Sequence, residues 1–212
     1  LAHEMGHAIH SWLSNQNQPF AGAQYKIFVA EVASTCNENL LNHALLEKTS
    51  DSRERAVILN HFLDGFKGTV FRQTMFAEFE KTVHEMAGRG EALTAGTLCR
   101  IYRQLNEDYF GPDITVDDEI AMEWARIPHF YTPFYVYQYA TGFSAAAFLS
   151  EKILSGDQQA AAAYMNFLKG GNSKDPIDLL ADAGVDMRTP EPVKAAMEVF
   201  RRALDEMEAL LG

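Results

Sequence analysis

The chain has 212 residues, of which 47% are hydrophobic, and this is enough to form the core of one domain of ordinary size. Its formal net charge of −11 argues against nucleic acid as a partner, because proteins that bind phosphate backbones carry clusters of lysine and arginine. The sequence contains no apolar run of roughly eighteen residues, so it predicts no membrane partner and no membrane span.

Cys36 and Cys99 are too few for a disulfide framework, and both lie in stretches with apolar periodicity. We therefore expect two buried free thiols and a reducing, cytoplasmic setting. The first residue is Leu1, and no charged segment followed by an apolar one marks a secretory signal. The sequence is therefore expected to be the C-terminal part of a longer protein.

Apolar residues recur at helical spacing along most of the chain, and this pattern predicts a mainly α protein. Thr49-Ser50-Asp51 followed by Glu54 is a typical helix start. Gly65 and Gly68 are candidate kinks in the helix that follows it. The first half is predicted to hold a short amphipathic helix, an irregular loop and two long helices, over residues 1–13, 14–25, 28–48 and 52–87.

The second half is also predicted to be helical, with one exception. The aromatic stretch over residues 127–142 contains two prolines and continues into a helical pattern, so it predicts a loop that enters a helix. Alternation of the kind that marks strands is not convincing anywhere. The remaining helices are predicted over residues 94–109, 117–124, 144–154, 157–168, 176–183 and 190–211.

The first ten residues, LAHEMGHAIH, contain the pattern H-E-x-x-H between His3 and His7. Residues four apart lie on the same face of a helix, so the two imidazoles can reach one ion. Glu4 stands one position round the helix, where it can reach a water on that ion. Zinc suits these ligands and keeps an open position in catalytic sites. The alternative is a pair of exposed histidines on a solvated helix.

A third ligand would distinguish these alternatives. A metzincin would have Gly at position 10 and His at position 13, where this chain has His10 and Leu13. A thermolysin-like enzyme would have Glu near position 27, which is Ile27. The first carboxylate after Glu4 is Glu31, on a predicted helix whose other faces are apolar, where a metal would offset the cost of burying it. Glu38, seven residues further on, could orient a ligand histidine.

The same residue types also occur in other kinds of site. A di-iron bundle would need a second E-x-x-H, and the sequence has none. A closed structural metal site would need a fourth protein ligand, for which His10 is the candidate, although it lies about two helical turns from His3. A peptide-binding module without catalysis also stays open. The remaining helical histidines are expected on the surface or in satisfied core positions, namely His43, His61 and His84.

Three blocks of this sequence, HEMGHAIHSWLS, FVAEVASTCNENLL and IPHFYTPFYVYQYATG, resemble the M3 zinc peptidases, in particular their oligoendopeptidase F branch. They span residues 1–142 in the order found in that family. The resemblance implies a mainly α, zincin-like helical catalytic domain over residues 1–212, truncated at its N-terminus, whose upstream helical domain lies outside this sequence. It implies an endopeptidase that hydrolyses short oligopeptides in a channel closed to folded proteins.

The resemblance also implies a set of site residues. One Zn²⁺ per chain would be held by His3, His7 and Glu31, with Glu4 as the general base on a water that the zinc polarises. In the family, a histidine and tyrosines beyond the zinc helices stabilise the oxyanion. The candidates for that role here are His129, Tyr135 and Tyr139, with Tyr131 and Tyr137 as further tyrosines, of which Tyr137 is expected to pack in the core. Cleavage preference and oligomeric state are not predicted.

Overall fold

The structure, a computed structural model, describes residues 1–212 and contains no β-strand. The mainly α prediction is therefore confirmed. The α-helices, in chain order, are α1 (Ala2–Asn17), α2 (Ile27–Lys48), α3 (Ser52–Phe66), α4 (Arg72–Gly88), α5 (Ala95–Phe110), α6 (Tyr137–Leu154), α7 (Gln158–Leu168), α8 (Pro176–Asp182) and α9 (Glu191–Leu211). Short 3₁₀ helices cover Phe20–Gly22, Asp118–Arg126 and Pro128–Tyr131.

The predicted start of α3 is confirmed by its capping geometry. The Asp51 carboxylate accepts the backbone N–H groups of Arg53 and Glu54, each at 3.0 Å. This satisfies two of the four donors that a helix leaves unpaired at its N-terminus. The predicted long helix over residues 52–87 is interrupted by a π-helical segment, Lys67–Phe71, which contains Gly68, one of the two candidate kinks, whereas Gly65 lies within regular α3.

The first helix is longer than predicted, because residues assigned to an irregular loop extend it to Asn17. The Asn17 amide donates to the Leu13 carbonyl at 2.7 Å, and the buried Ser14 hydroxyl donates to the Ala23 carbonyl. Polar side chains that would favour a loop in an isolated peptide thus form hydrogen bonds that are compatible with the helix. Tertiary contacts outweigh the local preference here.

The chain forms two compact units. The first comprises residues 1–67 and 141–212, and the second comprises residues 68–140. In the first unit, buried residues of α2 pack with buried residues of α6 and α8 to form the core. These residues are Val29, Val32, Ala33, Cys36, Ala145, Ala146, Leu149, Leu179 and Leu180.

The second unit has an aromatic core between α4 and α5. Phe76 and Phe79 of α4 contact the ring of Tyr102, which is fully buried. The Tyr102 hydroxyl donates to buried Glu123 at 2.7 Å, and Glu123 also pairs with Arg72. Burial, reinforced by the bond to Glu123, raises the pKa of Tyr102 well above its ordinary value.

The two cysteines differ in burial, although both were predicted to be buried. Cys36 is a buried free thiol, as predicted, whereas Cys99 is free but only half-buried. The difference follows from position, since Cys36 lies in the first core and Cys99 near the start of α5. None of the helices combines the length and apolar composition that crossing a membrane requires.

Candidate metal centre

The H-E-x-x-H motif lies in the first turns of α1, on the side that packs against α2. Gly6 makes this packing close: a Cβ built on it would lie 2.5 Å from the Ser34 Cα and 2.7 Å from the Ala33 carbonyl oxygen. These are backbone atoms of α2, so only glycine fits between the two helices. The close approach places the two motif histidines beside the helix that carries Glu31.

Three potential ligand atoms converge between α1 and α2. The Nε2 atoms of His3 and His7 are 3.2 Å apart, and the Glu31 Oε2 lies 3.4 Å from the first and 3.7 Å from the second. Tetrahedral zinc with bonds of about 2.0–2.1 Å would separate its ligand atoms by about 3.3 Å. The three observed distances fit one ion of this kind. No other group of at least three histidine, cysteine or acidic side chains in the chain has this proximity.

Polar residues of α2 surround these three side chains. The other ring nitrogen of His3, Nδ1, lies 3.3 Å from the Glu38 carboxylate, where a proton on Nδ1 can be shared. The Ser34 hydroxyl donates to the Glu31 Oε2 at 3.1 Å. The Asn37 amide donates to the Ala2 carbonyl at 2.6 Å and so holds the first turn of α1. Glu38 was predicted from its spacing to Glu31, but Ser34 and Asn37 were not, although they follow Glu31 by three and six residues on the same helix.

Glu4 occupies the position that the motif predicts. It is exposed on α1, next to His3, and forms no ion pair in the structure. Its carboxylate is therefore open to solvent and able to accept a proton from a water.

His10 does not join these residues. Its side chain is 1% exposed, and its ring stacks on the Tyr25 ring with centroids 3.7 Å apart. Burial, with a smaller contribution from His7, lowers the pKa of His10 to about 4. The alternative in which His10 closes a structural metal site is therefore wrong, because its helix position turns it into the core. The other helical histidines, His43, His61 and His84, are exposed.

The predicted residues of the aromatic block come together in the second unit. The rings of His129 and Tyr135 stack with centroids 5.6 Å apart, and the Tyr139 ring is 6.1 Å from His129. The Tyr139 hydroxyl donates to the Tyr135 hydroxyl at 3.2 Å. Tyr137 is 41% exposed, so the prediction that it packs in the core is wrong; Tyr131 is more exposed still.

The chain is all-helical, and its H-E-x-x-H helix packs on a helix that brings a carboxylate to the two histidines, which is the arrangement that a two-histidine, one-carboxylate metal centre in a helical protein would require. The sequence model described as Peptidase family M3 matches residues 1–199. The chain therefore belongs to peptidase family M3.

Individual relatives agree with this assignment. The chain is 54% identical over 211 residues to oligopeptidase PepF of Bacillus subtilis (strain 168), covering 100% of this chain and 32% of that protein. It is 49% identical to the chromosomal oligoendopeptidase F of Lactococcus lactis subsp. cremoris, covering 100% of this chain and 35% of that protein.

A solved structure is similar as well. The crystal structure of oligoendopeptidase-F from Enterococcus faecium superposes with a TM-score of 0.90 at 48% identity, over 99% of this chain and 38% of that one. The chain spans about a third of the length of the relatives that it matches.

Proposed function

We propose that this chain is the catalytic portion of a zinc-dependent endopeptidase that hydrolyses peptide bonds in short oligopeptides. The observation that carries the proposal is the convergence of the His3, His7 and Glu31 ligand atoms at the separations of a tetrahedral zinc site. Membership of family M3 and the names of the relatives support peptides as the substrate class.

His3, His7 and Glu31 would hold the ion, leaving one position open to a water or a substrate oxygen. Zinc bound there would supply Lewis-acid chemistry and lower the pKa of a water towards neutrality. The contact between His3 Nδ1 and Glu38 fixes the orientation of that imidazole, and the Ser34 hydroxyl orients the Glu31 carboxylate. The site is thus prepared by residues of α2 as well as by the motif.

Glu4 is proposed as the general base. It would take a proton from the attacking water and pass it to the nitrogen of the leaving amine, so that one carboxylate serves both steps. Its exposure on α1 is consistent with this role, since a base must reach both water and substrate. Neighbouring His3 and His7 would hold the ion at the same end of the helix.

His129, Tyr135 and Tyr139 are proposed as donors to the oxyanion that forms on the scissile carbonyl. The Tyr139 hydroxyl donates its proton to the Tyr135 oxygen, so the Tyr135 proton remains available for another acceptor. Prearranged donors of this kind contribute on the order of 10²–10³-fold to a rate. Tyr135 is therefore the tyrosine expected to matter most.

The test combines metal analysis with peptide cleavage. We expect about one zinc per chain and cleavage of a short quenched peptide that a chelator abolishes and zinc restores. Glu4→Gln should remove cleavage but keep zinc, whereas His7→Ala should remove both. Glu208→Gln, an exposed glutamate of α9, is the matched control and should change neither. Folded protein without zinc would refute the metal centre, and zinc without cleavage would favour a peptide-binding module.

A further inference from the structure

The turn before Tyr135 has an unusual backbone conformation. Phe134 has φ of 58°, and it is the only non-glycine residue in the chain with positive φ. It follows Pro133, and proline followed by a residue with positive φ is the pattern of a type II turn, where glycine is favoured. A bulky residue in the left-handed region is strained, so surrounding structure must hold it there.

Glu80 of α4 provides that hold. The backbone N–H of Phe134 donates to the Glu80 Oε1 at 2.7 Å, and the Glu80 residue is 5% exposed. The Phe134 ring also contacts the His84 ring, one helical turn further along α4, with centroids 4.8 Å apart. Glu80 therefore anchors the backbone of the strained residue, and His84, on the same face of α4, contacts its partly exposed ring.

Packing in the core does not by itself explain a buried acid at position 80. Glu80 adjoins Phe79 on α4 and lies beside the aromatic core of the second unit, where a leucine would fill similar space without the cost of burying a carboxylate. The hydrogen bond to the Phe134 amide is the polar contact that the structure gives this side chain. Its contribution is therefore to the turn.

The turn determines where Tyr135 points. Tyr135 is the next residue, and a change of φ at Phe134 would rotate it relative to α4 and alter its stacking on His129 and its bond with Tyr139. We propose that Glu80 is a positioning residue that holds this turn and thereby fixes the orientation of Tyr135, the proposed oxyanion donor, relative to His129 and Tyr139. This inference rests on the proposed peptidase function and on the role of Tyr135 in it.

The kinetic test is a double-mutant cycle in the zinc-loaded protein. Tyr135→Phe should lower kcat on the order of 10²-fold, as loss of an oxyanion donor does. Glu80→Leu should lower kcat at least tenfold with little change in KM, and Glu80→Gln, which keeps an acceptor oxygen, should restore most of it. In the Tyr135→Phe background, Glu80→Leu should have less than about a twofold effect. Glu85→Leu, an exposed position of α4, is the matched control.

A second readout does not need activity. With tyrosine labelled at the ring carbon that bears oxygen, the NMR resonance of Tyr135 should move in Glu80→Leu and return in Glu80→Gln. It should also return when Phe134→Gly is added to Glu80→Leu, because glycine adopts positive φ without strain. If Glu80→Leu does not fold, Glu80→Ala takes its place. In the wild-type protein the Phe134 amide should exchange at least roughly tenfold more slowly than an unprotected amide.

Several results would overturn the inference. The first is a loss of kcat in the double variant that equals the product of the two single losses, and the second is an equal loss of kcat in Glu80→Gln and Glu80→Leu. The others are a Tyr135 resonance that does not move in Glu80→Leu, or a Phe134 amide that exchanges as fast as an unprotected one. Failure of the proposed function looks different, because the wild-type protein would then show no chelator-sensitive cleavage. In that case the resonance and the amide exchange still test whether Glu80 holds Tyr135.

Discussion

Replacing Gly6 by alanine should damage the proposed metal centre without changing any of the proposed ligands. The new Cβ would lie 2.5 Å from the Ser34 Cα, 2.7 Å from the Ala33 carbonyl oxygen and 2.8 Å from the Ser34 nitrogen. All three are backbone atoms, so no change of rotamer can relieve the overlap. Ordinary contact begins at 3.4 Å, so restoring it at the closest of these atoms, now 2.5 Å away, requires a displacement of about 0.9 Å between α1 and α2.

That displacement acts directly on the ligand set, because the histidines lie on α1 and Glu31 lies on α2. If the helices move apart by about 0.9 Å, the Glu31 Oε2 distances of 3.4 and 3.7 Å would grow to about 4.3 and 4.6 Å, beyond the roughly 3.3 Å of tetrahedral zinc. Overpacking of this kind also costs about 1–3 kcal/mol of folding stability. His3 and His7 would remain as a weaker, two-residue site.

The assay is zinc affinity by competition with a chromophoric chelator, together with urea unfolding of the metal-free protein. We expect Gly6→Ala to lose at least about tenfold in zinc affinity, as disturbed ligand geometry does. Gly65→Ala is the matched control, because it lies within α3 with nothing within 4 Å of the added carbon, and it should be neutral or stabilising. Unchanged affinity and stability in Gly6→Ala would show that the close approach does not set the site.

Three further predictions follow from single contacts. Burial depresses the pKa of His10 to about 4, from a value of 6.5 in the unfolded chain. Between pH 6.5 and pH 4, the His10 imidazole therefore takes up a proton only in the unfolded chain. The free energy of unfolding should be fully present above pH 6.5 and should fall by up to about 3 kcal/mol towards pH 4. Urea unfolding of the metal-free protein should show this loss, and His10→Phe should remove most of it. If the stability of His10→Phe depended on pH as strongly as that of the wild type, His10 would not be the source of the loss. Glu38→Leu should weaken zinc binding about 10–100-fold in the same competition assay, while Glu47→Gln should leave it unchanged. Equal zinc affinity in the two variants would show that Glu38 does not orient His3. Burial raises the pKa of Cys36 to about 12, so a thiol reagent should label half-buried Cys99 in the native protein and Cys36 only after unfolding, which mass spectrometry of labelled peptides would check.

Much of the local structure could be predicted from the sequence. Helical periodicity located nearly every helix, and the Asp51 cap marked the start of α3. Of the two glycines proposed as kinks, Gly68 lies in the π-helical segment that interrupts the helix, and Gly65 does not. These features depend on backbone geometry and on contacts between residues a few positions apart, so a short window of sequence contains their cause. The same holds for His3 and His7, whose common face follows from their spacing.

The tertiary structure decided which distant residues meet. Glu31 was predicted as the third ligand and Glu38 as a residue that orients a ligand histidine, but the distances follow only from the packing of α1 on α2 through Gly6. In the structure the Glu31 carboxylate lies beside the Nε2 atom of His3, and Glu38 lies beside its Nδ1 atom. Likewise, periodicity alone did not show that His10 would be buried.

The hydrogen bond between Glu80 and the Phe134 amide could not be predicted from the sequence either, since these two residues are 54 positions apart. Periodicity states which residues share a face of one helix. Which face meets which neighbour, and how closely, depends on packing between segments far apart in the chain, and only the folded structure contains that information.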